Sequence, residues 1–222
     1  RFTEDHLRML RAIRLASSLN FSLDQETAAG IRKHAELISQ VSAERIRDEL
    51  TRILLESQHA GDALVMLDNL GLLEIILPEV TDMKGQEQPP EFHPEGDVFT
   101  HTFIMLNMMK PRRDGIQPDC ERTRSGRRLA FSALLHDVGK PPTAEITPER
   151  IRFDNHAKQG AEMANAILRR LRFPLDDIKA ITYCVRNHMR FLDVRKMKHS
   201  TLRKMIGAPT FPIEIEVHRL DC

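Results

Sequence analysis

Apolar residues recur every three to four positions in one segment after another, and two-residue alternation is confined to one short stretch. That periodicity predicts an almost wholly helical protein. The first expected helix covers residues 3–19, with Leu7, Leu10, Ile13 or Arg14, and Leu15 on its inner side. The second covers 24–40, with Thr27, Ile31, Ala35 and Ile38 as its stripe. Ser42 stands as the N-cap of a third, where Glu44 lies in the first turn and Ile46, Leu50, Ile53 and Leu54 keep core spacing. A fourth runs over 62–70 and ends at Gly71, and a short apolar piece at 72–77 stops at Pro78. Together these predict a helical bundle, or neck, over residues 1–80 with a core of its own.

Residues 81–97 are rich in Pro, Glu and Gly and lack periodicity, so they read as a connector or functional loop. Helices are then expected at 98–109, 127–137, 155–171, 175–190, 200–206 and 211–221, with a polar, basic loop at 111–125. One stretch breaks the helical rule. Glu145-Ile146 and Ile151-Arg152-Phe153 flank a turn at 147–150 and predict a small hairpin. The fold class is therefore all-α: a neck, then a second helical domain over 98–222 carrying one small β-hairpin.

Composition narrows the setting. Hydrophobic residues make up 41% and charged residues 29%, the balance of an ordinary globular chain. No uncharged apolar run approaches the roughly 20 residues needed to span a bilayer, so no membrane partner is expected. The three cysteines, Cys120, Cys184 and Cys222, form no CxxC pair and are odd in number, which favours a reducing compartment, the cytoplasm. The net charge of +1 hides an asymmetry. Residues 169–204 hold eleven Lys/Arg against three Asp, whereas residues 74–97 hold seven acids and one lysine. A basic surface suits a phosphate-bearing partner, although charge runs also serve as plain solvated faces.

The candidate chemistry centres on Leu134-Leu135-His136-Asp137-Val138-Gly139-Lys140-Pro141. Here His136 and Asp137 sit where an apolar helix is stopped by Gly139 and Pro141, and a turning backbone lets two adjacent side chains converge. The plainer reading is that either residue caps the helix. Upstream, Asp97-Val98-Phe99-Thr100-His101-Thr102 places a histidine in a first helical turn; downstream come Asn155-His156, Asn187-His188 and His218-Arg219-Leu220-Asp221. The order His, His-Asp, His, His, Asp resembles the HD superfamily of metal-dependent phosphohydrolases over roughly residues 92–222. The resemblance implies that His101, His136, Asp137 and Asp221 bind one divalent ion. It also implies that His156 and His188 let a second ion bind, with Asp137 between the two. Imidazole and carboxylate without thiolate suit Mg, Mn, Fe, Ni or Zn and speak against a closed structural zinc site. Asp137 and Lys140 are the candidate catalytic residues; Lys140 either meets a substrate phosphate or is an exposed helix-end lysine.

The first helix adds a second likeness. Glu4-Asp5-His6-Leu7-Arg8-Met9-Leu10-Arg11 resembles the EDxxRxxR motif of bacterial tRNA nucleotidyltransferases (CCA-adding enzymes) and poly(A) polymerases, with His6 where relatives commonly carry proline. Glu44-Arg45-Ile46-Arg47-Asp48-Glu49-Leu50 resembles their ERIxxEL motif, and Leu70-Gly71-Leu72-Leu73, His93-Pro94-Glu95-Gly96-Asp97-Val98, Arg152-Phe153-Asp154-Asn155-His156 and Asn187-His188-Met189-Arg190-Phe191 point the same way. The resemblance implies that Asp5, Arg8 and Arg11 bind nucleotide, Asp5 and Arg8 reading the base from one helix face. The plainer reading is a helix cap with an ion pair across a turn. RNA, in particular tRNA, becomes the expected partner, with ATP and CTP as nucleotides of a full-length parent. No strand here bears a DxD pair, so a nucleotidyl-transferring head is expected ahead of Arg1. Two function classes follow: a metal-dependent phosphohydrolase acting on RNA ends or nucleotides, or a non-catalytic RNA-binding scaffold for such a head.

Overall fold

A computed structural model describes residues 2–111, 121–147 and 150–222. The fold is all-α with one two-stranded hairpin. Helix α1 (Arg8–Leu19) buries Met9, Leu10, Ile13 and Ala16. It starts five residues later than periodicity predicts. The Asp5 carboxylate takes the Leu7 N–H at 3.2 Å, and the Asp5 and His6 carbonyls take the next two, so the chain enters through tight turns. Leu15, expected inside, is 49% exposed; Met9 and Ala16 fill the inner face instead. Arg14 is the charged member of that face, held by buried Glu49 at 2.9 Å and by Glu56 at 3.1 Å.

Helix α2 (Gln25–His34) is capped by Asp24, whose carboxylate accepts from Thr27 N at 2.9 Å. It tightens into a 3₁₀ turn over Ala35–Gln40 that buries Ala35 and Ile38. Helix α3 (Ala43–Glu56) begins after Ser42 as expected, although the serine hydroxyl makes no capping bond. Then come α4 (Ala60–Asn69), α5 (Leu72–Ile76) and α6 (Pro78–Thr81), with Gly71 between the first two at φ +75°, a conformation glycine adopts without strain.

Past the connector lie α7 (Val98–Asn107), α8 (Glu121–Leu135) and the short α9 (Lys140–Thr143). Helix α8 starts six residues before its expected position. Of the loop expected at 111–125, residues 112–120 lie outside the described residues, as do 148–149 in the hairpin turn. Strands β1 (Ala144–Thr147) and β2 (Arg150–Phe153) pair antiparallel, Ala144 opposite Phe153. Helices α10 (His156–Arg170) and α11 (Leu175–Asn187) pack side by side. The helix expected to reach residue 190 instead turns to 3₁₀ at His188–Lys196, before α12 (His199–Ile206) and α13 (Phe211–Asp221).

One hydrophobic cluster runs from Leu7 to Leu220, joined where α3 meets α8 and α4 meets α7. Arg170 adds a two-pronged ion pair to Glu79, with contacts of 2.6 and 2.7 Å. No helix among the described residues is long and apolar enough to cross a membrane.

Candidate metal centre

The six histidines and aspartates singled out in the sequence gather at one cleft, and each stands at a helix end. His101 lies in the first turn of α7, which Asp97 fixes by accepting from Thr100 N at 2.7 Å and Gly85 N at 2.6 Å. His136 and Asp137 follow the last residue of α8, His156 opens α10, His188 closes α11, and Asp221 is the final residue of α13. Helix ends suit this task because the backbone there can turn side chains toward a common point while carrying peptide groups that no helical bond satisfies.

Three of the rings turn Nδ1 to a backbone carbonyl in the same way. His136 Nδ1 meets Ala133 O at 2.8 Å, His156 Nδ1 meets Phe153 O at 2.8 Å, and His188 Nδ1 meets Val185 O at 2.7 Å. Each partner lies three residues back and can only accept. The proton therefore sits on Nδ1 of each, and in the neutral His156 and His188 rings Nε2 carries a lone pair aimed into the cleft. His101 Nδ1 is likewise turned to an acceptor, the Glu95 carboxylate at 2.7 Å.

The lone pairs meet other electron-rich atoms. His156 Nε2 and His188 Nε2 face each other at 3.2 Å, and both stand 3.6 Å from Asp137 Oδ1. On the other side of Asp137, His136 Nε2 lies 3.1 Å from Oδ2 and 3.5 Å from Asp221 Oδ1, yet it is buried and makes no hydrogen bond. His101 Nε2 is 2.9 Å from the same Asp221 oxygen. Among the described residues three groups are tight enough for one cation: His101–His136–Asp221 and Asp137–His156–His188 in the cleft, and His93–Glu95–His101 beside them. The residues fit such an ion: it would satisfy the orphaned His136 nitrogen and relieve the opposed His156 and His188 lone pairs. Asp137 stands between the two cleft groups, with Oδ2 toward His136 and Oδ1 toward His156 and His188.

Electrostatics agree with that arrangement. Burial alone would lower the His136 ring, but Asp137 and Asp221 outweigh it and hold it up at about 10. Burial would raise the Asp137 carboxyl, yet His136 and Lys140 keep it well below the usual carboxylate range. Asp221, also opposed by burial, is held far down by His101 and His136. Burial pushes His188 down to about 4, against the pull of Asp137, and lowers His156 as well. The second group thus presents neutral imidazoles and an ionised carboxylate.

Lys140 is not an exposed helix-end lysine. It is 6% exposed, and its ammonium sits 2.6 Å from both Asp137 Oδ2 and Gln88 Oε1. Gly139 does more than stop a helix: a Cβ there would fall 2.2 Å from His156 O, so only glycine lets α10 approach the His-Asp turn. The 81–97 stretch, read as a connector or functional loop, supplies a wall. Gln88 holds Lys140, Glu95 bridges His101 and His93 at 2.7 and 3.0 Å, and Phe92 projects from the rim, 76% exposed. Sequence reading left these four without a role. The signals that the stretch belongs to the site are the phrase from His93 to Val98 that carries the family likeness and the Asp97 cap that orients it. The cleft, about 500 Å³, has Asp137, His156, His188 and Asp221 among its lining, with Phe92, Met189 and Leu192 as apolar lips.

Asp5, Arg8 and Arg11 lie elsewhere, and Asp5 and Arg8 do not share a helix face because α1 begins at Arg8. Asp5 faces Arg45 at 3.2 Å and Arg11 at 3.6 Å, while Arg8 reaches Glu4 at 2.9 Å and Arg11 also meets Glu49 at 3.3 Å.

Comparison with known proteins gives two family matches. A model described as "HD domain" matches residues 98–208, half of the chain, and includes His101, His136, Asp137, His156 and His188. A second, described as "Probable RNA and SrmB- binding site of polymerase A", matches residues 20–84. Similar curated proteins include a CC-adding tRNA nucleotidyltransferase of Thermus thermophilus, 36% identical over 194 residues, covering 84% of this chain and 42% of that protein. An A-adding tRNA nucleotidyltransferase of Deinococcus radiodurans is 36% identical over 192 residues, 83% of this chain and 42% of that one. A multifunctional CCA protein of Laribacter hongkongensis is 30% identical over 210 residues, 92% and 48% of the two lengths. The chain spans somewhat under half the length of these relatives.

Proposed function

Because this chain belongs to the HD-domain family and carries, ahead of that domain, the RNA-binding segment of the tRNA nucleotidyltransferase and poly(A) polymerase family, we propose that its cleft is a metal-dependent phosphohydrolase site for RNA ends or nucleotides. The observation that carries this reading is the 3.2 Å approach of two imidazole nitrogens, each 3.6 Å from one aspartate oxygen. Such a cluster of lone pairs is stable around a cation and poorly placed without one. His101, His136, Asp137 and Asp221 would hold one divalent ion, and Asp137, His156 and His188 a second; Mg, Mn, Fe or Ni suits these ligands. Bound there, the metal lowers the pKa of water and polarises a phosphoryl oxygen.

The chain's own groups do the rest. Asp137 stays ionised between His136 and Lys140. Lys140, fixed by Gln88, presents a positive charge in the cleft lining to the phosphate of a substrate. Phe92, Met189 and Leu192 offer apolar surface to a nucleobase or sugar at the rim. The functional division follows the sequence: a neck over 1–80, a connector over 81–97 that closes the cleft, and the hydrolase over 98–222. In the neck, Asp5, Arg8 and Arg11 would bind nucleotide, ATP or CTP, for a nucleotidyltransferase acting on tRNA in the cytoplasm.

Loading the purified protein with Mn and assaying a small phosphodiester and a 2′,3′-cyclic nucleotide tests the hydrolase. Turnover that disappears in Asp137→Ala is expected. Tight metal binding with no turnover on either phosphoester would sink it and favour the RNA-binding scaffold.

A further inference from the structure

Away from the metal cleft, helices α10 and α11 leave between them a groove of about 320 Å³. Its lining includes Lys179, Thr182, Tyr183 and Arg186 from α11, with Glu162 and Asn165 from α10. Positions 179, 182, 183 and 186 repeat at i, i+3, i+4 and i+7, so they form one face of α11, with the two cations about 10 Å apart along its axis. Lys179 and Arg186 are exposed, and among the described residues neither side chain has an ion-pair or hydrogen-bond partner. That separates them from Arg127, Arg128, Arg170 and Arg190, each of which is paired with an acid. On the facing helix, Lys158 and Arg169 are exposed at helical spacing from Asn165, to which Arg169 donates at 2.6 Å, and among the described residues Glu162 is the only acid in the groove lining.

Tyr183 stands between the two cations and is 40% exposed. Its hydroxyl accepts from Arg190 Nη1 at 3.2 Å, and the Arg190 guanidinium lies over the ring, 5.7 Å from its centroid. Arg190 is itself ion-paired with buried Glu214. The ring is therefore held from behind by a buried charge pair while part of it remains in water. An aromatic ring fixed in this way costs little entropy to use as a stacking surface.

We infer that the α10–α11 groove is a second contact surface for single-stranded RNA, with phosphates on Lys179 and Arg186 and a base stacked on Tyr183. Unpaired cations flanking an exposed aromatic ring are what sequence-tolerant single-strand binding needs. An acidic peptide would use the cations but has no need of the ring between them. The inference rests on RNA as the partner of this chain and not on hydrolysis in the metal cleft.

Tyr183 is the only tyrosine and the chain has no tryptophan, so its fluorescence reports this groove alone. Titrating the protein with an oligoadenylate, corrected for inner-filter absorption, should quench it. Lys179→Ala/Arg186→Ala should weaken oligoadenylate binding about tenfold and flatten the plot of log K against log salt by about 1.4, two single-strand phosphates' worth. Tyr183→Ala, which removes the fluorophore and is followed instead by the anisotropy of a fluorescein-labelled oligoadenylate, should cost about tenfold with the salt slope unchanged. Melting followed by circular dichroism and Mn-dependent phosphodiester hydrolysis serve as fold controls and should match the parent protein. Oligoadenylate bound with parental affinity by the double variant overturns the groove alone. No RNA binding by the parent protein removes the RNA reading as well. Polyglutamate that binds as tightly as oligoadenylate, and as sensitively to both cations, would make the surface an acidic-protein site instead.

Discussion

The metal cleft and the charged cluster at the start of α1 use similar side chains and reach opposite outcomes. In the neck, Asp5 faces Arg45 and Arg11, Arg11 also meets Glu49, and Arg14 spans Glu49 and Glu56. Every acid there has a cation across from it, and Arg8, Arg11 and Arg45 are well exposed to water. Such a cluster is complete as it stands. In the cleft, two imidazole lone pairs face each other and one Asp137 oxygen in a buried space, and among the described residues His136 Nε2 makes no hydrogen bond although two carboxylates lie beside it. Burying acceptor atoms without a donor between them is costly, so the opposed His156 and His188 nitrogens call for something positive from outside. The lesson is that a ligand is signalled by unmet valence in a dry place more than by charge itself.

The comparison can be broken first at Asp137, whose two oxygens face the two groups. Asp137→Asn should reduce phosphodiester hydrolysis by ~10³-fold or more, since an amide cannot hold a cation as a carboxylate does. Calorimetric Mn titration should show both positions weakened. Undiminished Mn affinity in this variant would mean that the cleft is as self-sufficient as the neck.

A smaller effect is expected at Glu95, which touches no proposed ion but orients His101 and His93. Glu95→Gln should lower metal affinity or activity by about 10–100-fold, the usual range for a partner behind a ligand. Affinity that falls while the melting temperature holds identifies orientation rather than folding as the cause.

pH sharpens the contrast further. Without metal the His136 ring is held protonated up to about 10, and a metal must displace that proton. Mn affinity should therefore rise with pH, by about tenfold per unit for one proton released, at pH values below that pKa. The measurement is the Kd for Mn at several pH values in a non-chelating buffer. A flat profile would show that the ring enters binding already neutral.

The smallest effect belongs to the neck. Arg8→Ala removes an exposed pair with Glu4 and should change unfolding free energy by no more than about 0.5 kcal/mol. Cleft hydrolysis should be unaffected. A large loss of hydrolysis would show that the two regions are coupled through the shared core.

The hydrophobic period was enough to read the longer α-helices, and short-range rules found Gly71 as a terminator and the hairpin flanked by Glu145-Ile146 and Ile151-Arg152-Phe153. The order of histidines and aspartates was legible too, because each occupies a helix end whose breakers lie within a few residues. Beyond that range the sequence was silent. It did not tell Leu15 from Met9 as the inner residue of α1, since both lie close to the apolar stripe and the neighbours decide. Nor did it show that Gly139 is there to admit α10, or that the connector closes the cleft.

What the sequence determined by itself was therefore local: where helices start and stop, and which residues able to bind a metal stand at their ends. What only the tertiary structure decided was convergence. His101 meets Asp221 across 120 residues, and Lys140 meets Gln88 across 52. Backbone propensity and capping act within a turn or two of chain. The meeting of such distant side chains depends on how whole helices settle against a common core, a property that no short stretch of the sequence carries.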